Sequence, residues 1–200
     1  ARSILGPGSN QTDMVQTRRA FIRTTGIGLL SFYVGGCKVK LTPEQARRQD
    51  IPFLVLQTDQ VRILEAFGEV LLPGSAAAGL AHFIDHQLNA TPSDQLLMIK
   101  YLGVNPSFTP FYAQGLAALN ETAKSVYGLP FFELILDQKI ELTGQIAKAN
   151  PDGWAGPPAP FFYFVLRNDA VDVFYGTQQG IESLGMPYMA HIEPPSRWGE

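Results

Sequence analysis

Asp59-Gln60-Val61-Arg62-Ile63-Leu64-Glu65-Ala66-Phe67-Gly68-Glu69-Val70-Leu71-Leu72 is the stretch whose reading decides the fold class. Val61, Leu64, Phe67/Gly68, Leu71 and Leu72 recur at helical spacing and share one face, with Thr58 or Asp59 as an N-cap and Pro73-Gly74 as a stop. The same logic extends downstream. Residues 77–88 align Leu80, Phe83, Ile84 and Leu88, and Thr91-Pro92-Ser93-Asp94 opens a short helix that runs to Tyr101. Residues 111–127 form a fourth helix closed by Gly128-Leu129-Pro130. Residues 131–149 form a fifth, with Phe132, Ile135, Leu136, Ile140, Leu142 and Ile146 near one stripe. The Pro- and Gly-rich run 150–160 reads as an irregular loop leading into a sixth helix over 161–175, and periodicity is lost again from Gly176 to Glu200. No internal repeat and no convincing alternating strand pair is present, so the expected class is all-α: an irregular bundle of about six helices with long Pro-, Gly- and aromatic-rich loops and a C-terminal tail.

Composition narrows the function. At 200 residues with 46% apolar side chains, the chain suffices for one core. Fifteen Lys and Arg against eighteen Asp and Glu give net −3 without a basic block, which argues against a phosphate-binding surface and hence against a nucleic-acid partner. The single Cys excludes an intrachain disulfide, a CxxC pair, a Cys-rich metal or iron–sulfur site and CxxCH haem attachment.

The N-terminal part reads as an address. Thr17-Arg18-Arg19-Ala20-Phe21-Ile22-Arg23 places two arginines ahead of a hydrophobic residue, and an uncharged run from Thr24 to Gly36 follows, in the outline of a twin-arginine export signal carried by Arg18, Arg19 and Phe21. As a helix, thirteen residues would reach roughly 20 Å, short of the approximately 30 Å hydrocarbon core, so the run suits a signal h-region better than a permanent span. It ends in Val34-Gly35-Gly36-Cys37, similar to a lipobox, which makes Cys37 the candidate lipidation site and a membrane attachment point. The expected organisation is therefore an extension plus signal over 1–36, a tether over 37–58 and a single helical domain over 59–200.

Catalytic motifs are missing from the sequence. There is no GxSxG elbow, Walker loop or HExxH, and the scattered carboxylates show no acid–base pairing. His82 and His86 lie four apart, on one face of the second helix beside Asp85, a spacing that could give a metal two ligands; no third ligand is fixed, so the preferred reading is a polar helix face that meets water or a partner, and no metal site is assigned. Large apolar residues concentrate instead in irregular segments. Four consecutive aromatics cannot all face inward from one helix, so Trp154, Phe161, Phe162, Tyr163, Tyr188, His191 and Trp198 are the candidate anchors of a protein interface. The competing expectation is that the long loops fold back and bury these rings.

Taken together, the twin-arginine leader, Leu71-Leu72-Pro73, Ala81-His82-Phe83-Ile84-Asp85 and the Gly156 to Pro195 region with Phe161-Phe162-Tyr163-Phe164 resemble the small subunit of membrane-bound flavin dehydrogenases, the gluconate 2-dehydrogenase subunit 3 family. The resemblance covers most of residues 17–198. It implies a non-catalytic subunit, without a cofactor of its own, bound to a large FAD-containing oxidoreductase of the glucose–methanol–choline class that oxidises a sugar, sugar acid or other alcohol. A cytochrome c subunit carrying haem often accepts the electrons in such complexes. The small subunit can carry the export signal for both chains through the twin-arginine translocase, which places the complex in the bacterial periplasm. A lipid on Cys37 would attach it to the membrane. A freestanding periplasmic lipoprotein that binds a ligand or metal through His82, His86 and nearby acids is the alternative.

Overall fold

A computed structural model describes residues 30–34 and 37–185. The expected bundle is there, with an addition at its N-terminal side. Leu30–Val34 (β1) and Cys37–Leu41 (β2) form an antiparallel pair in which Leu30 faces Leu41, Phe32 faces Val39 and Val34 faces Cys37. Seven α-helices follow among the described residues: Pro43–Arg48 (α1), Thr58–Leu71 (α2), Leu80–Asn89 (α3), Thr109–Tyr127 (α4), Leu136–Ile146 (α5), Ala159–Tyr175 (α6) and Gln178–Glu182 (α7). Two 3-10 turns, Met98–Leu102 and Phe131–Glu133, stand before α4 and α5.

The deciding stretch becomes the hub. α2 buries Val61, Ile63, Leu64, Phe67 and Gly68 and packs against α3, α4, α5 and α6. A helix takes this position because its apolar residues cover enough of its circumference to meet several neighbours, each fully buried Leu or Phe contributing about 1.5–3 kcal/mol. Gly68 lets α3 come close: a Cβ there would lie 2.6 Å from a methyl carbon of Leu80. Gly79 precedes α3 with φ +92°, a conformation that a side chain disfavours, and its Cα lies against the backbone of Pro43.

The stretch expected as a tether is part of this body. Ala46, Ile51 and Leu56 join the same contiguous core as the helices, and so do Leu30 and Phe32 of the run expected as a signal h-region. β1 departs from the helical reading of the apolar run because Leu30 and Phe32 alternate with the less buried Ser31, which puts both rows of a two-residue period to use. The fifth expected helix is broken into a 3-10 turn and α5, with Leu134 and Ile135 in extended backbone between them. Among the described residues no helix is long and apolar enough to cross a membrane.

Candidate functional site

α3 carries the densest cluster of polar chemistry in the core. His82, Asp85 and His86 occupy positions i, i+3 and i+4, so their side chains leave the helix on one face, toward residues 31–56. The Asp85 carboxylate accepts three backbone N–H groups: Oδ2 from Leu54 at 2.9 Å, and Oδ1 from Val55 and Leu56, each at 2.8 Å. Three such donors satisfy a buried carboxylate that would otherwise be costly to remove from water. His82 Nε2 lies 3.1 Å from the carbonyl oxygen of Ile51, and His86 Nε2 lies 3.2 Å from that of Ser31. A carbonyl only accepts, so in both rings Nε2 holds the proton and donates. Both Nδ1 atoms are buried without a hydrogen-bond partner among the described residues. Rings complete the seat, Phe53 at 4.4 Å from His82 and Phe32 at 5.1 Å from His86, measured between centroids. Burial lowers the pKa of both imidazoles below 6.5, so the neutral donor form is the one this packing favours.

The arrangement is a clamp on the main chain. Metal chelation through His82 and His86 would need nitrogens that here are donating to carbonyls or enclosed in the core, and Asp85 has both oxygens engaged. Among the described residues no group of three His, Cys, Asp or Glu is placed to hold a metal ion.

α6 positions a second set. Phe162, expected at an interface, is fully buried: its ring stacks on Phe67 with centroids 5.7 Å apart and planes parallel within 1°. Phe67 meets Phe131 edge-on at 5.9 Å, and the Phe162 ring also presses on Gly115 of α4, where only hydrogen fits. Phe162 is therefore core, not a docking residue. Phe161, Tyr163 and Trp154 are half-buried; Phe161 meets Phe111 edge-on at 5.5 Å, and Trp154 Nε1 donates to the Pro157 carbonyl at 2.6 Å. The Pro- and Gly-rich loop thus folds back on the bundle, and Asn150 Oδ1 accepts the Ala159 N–H at the start of α6. Of the four consecutive aromatics only Phe164 is exposed.

Deeper along α6, Asp169 accepts the Met98 N–H at 2.9 Å and the Tyr112 hydroxyl at 2.6 Å, tying α6 to α4 and to the first 3-10 turn. Enclosure raises the carboxyl to about 7, against the two donors, which favour the charged form; nearby Asp172 pushes the same way as burial. Enclosure and the neighbouring carboxylate also raise the Tyr112 hydroxyl.

Apolar surface lies elsewhere. Ile135, Leu136 and Ile140 are 64%, 62% and 52% exposed, although the sequence pattern had put them on the buried stripe. The stripe that docks α5 is Leu142, Thr143 and Ile146. Ile140, Gly144 and Lys148 line a groove of about 640 Å³ that continues to Asn150 and Asp152. Exposed Val126 and Leu129 lie at the end of α4, which the Tyr127 hydroxyl joins to α5 by donating to Glu141 at 3.0 Å. Periodicity did not single out Ile135, Leu136 and Ile140, since they looked like core.

Compared with protein-family models, residues 58–191 match the one described as gluconate 2-dehydrogenase subunit 3. The chain belongs to the gluconate 2-dehydrogenase subunit 3 family. Comparisons with curated proteins and with solved structures return no match. The matched region begins at α2 and takes in the α3 clamp and the α6 aromatics, so the quoted Ala81–Asp85 motif corresponds to structural residues in this member of the family. Arg18, Arg19 and Phe21 lie outside the described residues, as do Tyr188, His191 and Trp198. Cys37 opens β2, opposite Val34.

Proposed function

We propose that this chain is the accessory small subunit of an exported dehydrogenase whose large subunit binds FAD and oxidises a CH–OH group of a sugar, sugar acid or related alcohol. Its role is to stabilise the flavoprotein and to carry it, folded, through the twin-arginine translocase on the signal at Arg18, Arg19 and Phe21. The complex then works in the bacterial periplasm, with a cytochrome c subunit as electron acceptor. The family match over residues 58–191 carries this reading.

The polar chemistry described above supports it. The buried titratable groups His82, Asp85, His86 and Asp169 are spent on holding the fold, as befits a chain that binds rather than catalyses. The docking surface we assign to the dehydrogenase is centred on Ile135, Leu136 and Ile140, because neighbouring apolar side chains left in water at one end of a helix mark an interaction site. Half-buried Trp154, Phe161 and Tyr163 are the remaining aromatic candidates for contact with the partner. Lipid anchoring through Cys37 does not enter the proposal, since β1 would be removed with the leader.

Co-expression with the large flavoprotein chain and purification through a C-terminal tag on this subunit tests the reading. Co-purification of the large chain with flavin absorption is expected, and Arg18→Lys/Arg19→Lys is expected to leave both chains in the cytoplasm. A colourless, monodisperse single chain would overturn it.

A further inference from the structure

We infer that residues 30–36 stay on the mature chain and that Cys37 keeps its peptide bond to Gly36. Lipid attachment would join Cys37 Sγ to a diacylglyceryl group by a thioether, after which hydrolysis of the Gly36–Cys37 bond makes Cys37 the N-terminus. That hydrolysis would remove β1 entirely. β2 would lose its strand partner at all five positions from Cys37 to Leu41, leaving a lone strand of unpaired N–H and C=O groups. Leu30 and Phe32, 8% and 7% exposed, would be withdrawn from the core. His86 would suffer most directly: its Nε2–H would lose the Ser31 carbonyl and its ring the Phe32 contact, while Nδ1 already has no partner among the described residues.

The α3 clamp gives the argument its direction. His82 holds Ile51 and Asp85 holds Leu54 to Leu56, segments that remain whatever happens to the leader. One turn further along the same helix face, His86 holds Ser31 by the same kind of bond, so β1 is secured as part of one continuous seat. Any processing therefore occurs before Leu30 or not at all, and part of the run that resembles an h-region is a strand of the product. This deepens the proposal of an exported subunit, while the packing of β1 on the bundle is the same with or without export.

The test uses the full chain expressed with its dehydrogenase partner in a bacterium that has twin-arginine export. Periplasmic and membrane fractions are digested and mapped by mass. A peptide containing Leu30 to Lys38 with an unmodified thiol is expected; an acylated N-terminal Cys37, or any N-terminus downstream of Leu30, overturns the inference. If neither fraction contains the chain, the export reading fails by itself, and melting of the cytoplasmic full-length chain decides the inference. There Phe32→Ala is expected to lower Tm by roughly 5–10 °C, and Phe32→Leu by much less. An unchanged Tm in Phe32→Ala would show that β1 is not part of the folded core.

Discussion

α5 and α6 exchange the roles that their sequences suggest. α6 opens with Phe161-Phe162-Tyr163-Phe164, a run too aromatic to be hidden on one face, yet it sinks Phe162, Val165, Leu166, Asp169, Ala170, Val173 and Phe174 into the core. α5 has an unremarkable aliphatic pattern, yet Leu136 and Ile140 face outward together with the preceding Ile135. The difference lies in what surrounds each helix. α6 is covered by α2, α3, α4 and α5, and a helix in that position can use apolar residues over most of its circumference. α5 meets α2 and α6 through Leu142, Thr143 and Ile146. Apolar character alone therefore does not distinguish a core residue from a docking residue; the number of neighbouring elements does.

The strongest way to break the comparison is Phe162→Ala. Loss of a fully buried ring that stacks on Phe67 and fills the space above Gly115 is expected to cost about 3–5 kcal/mol in a denaturant melt. Undiminished stability with lost dehydrogenase binding would instead make α6 the interface. The complementary change is Leu136→Asp/Ile140→Asp. It is expected to alter stability by no more than about 0.5 kcal/mol while weakening association with the dehydrogenase subunit by about 2 kcal/mol, more than tenfold, in a binding titration. A large drop in Tm would show that these residues are core after all.

Acidity sharpens the contrast. Asp169 has its pKa raised from 3.8 to about 7 in the folded state, so its contribution to stability is complete below the unfolded value and is lost as pH rises through about 7. Relative to Asp169→Asn, the native chain should lose stability between about pH 4 and 7 in melts across that range. The α3 histidines act oppositely: their pKa values are lowered from 6.5, so their contribution is present above 6.5 and is lost as pH falls below it. Hydrogen-exchange protection factors, corrected for the intrinsic pH dependence of the amide, should then fall in β1, β2 and residues 51–56 on acidification, and at Met98 as pH rises through about 7. The smallest effect is expected for Tyr127→Phe, about 0.5 kcal/mol by calorimetry, because the bond to Glu141 is exposed to water.

Legibility followed locality. α2 was readable because its apolar stripe and Pro73-Gly74 stop are close together in the chain, although Gln57 and not Thr58 or Asp59 is its N-cap. The face shared by His82, Asp85 and His86 was readable for the same reason, but the groups it holds were not, since Ser31, Ile51 and Leu54 to Leu56 lie about thirty to fifty-five residues away. The β1–β2 pair did leave a signal: Leu30/Phe32 and Val39/Leu41 alternate on either side of Gly35-Gly36. The neighbouring arginine pair gave that stretch a more familiar meaning. In α6, residues 165–174 recorded the buried period, and the aromatic run at the start obscured it. The outward turn of Ile135, Leu136 and Ile140 had no local signature, because it depends on which elements stop short of them.

The bond from His86 to the Ser31 carbonyl also sets an order of events. A ribosome delivers residue 31 well before residue 86, and Asp85 and His82 arrive in the same late stretch. The first strand has nowhere to settle until α3 has been made, whereas α3, once folded onto α2, offers a finished seat. Attachment of β1 to the bundle thus records that the helical body behind it has been built, a completion mark written into the N-terminal side of a chain whose preceding residues read as a passport for folded cargo.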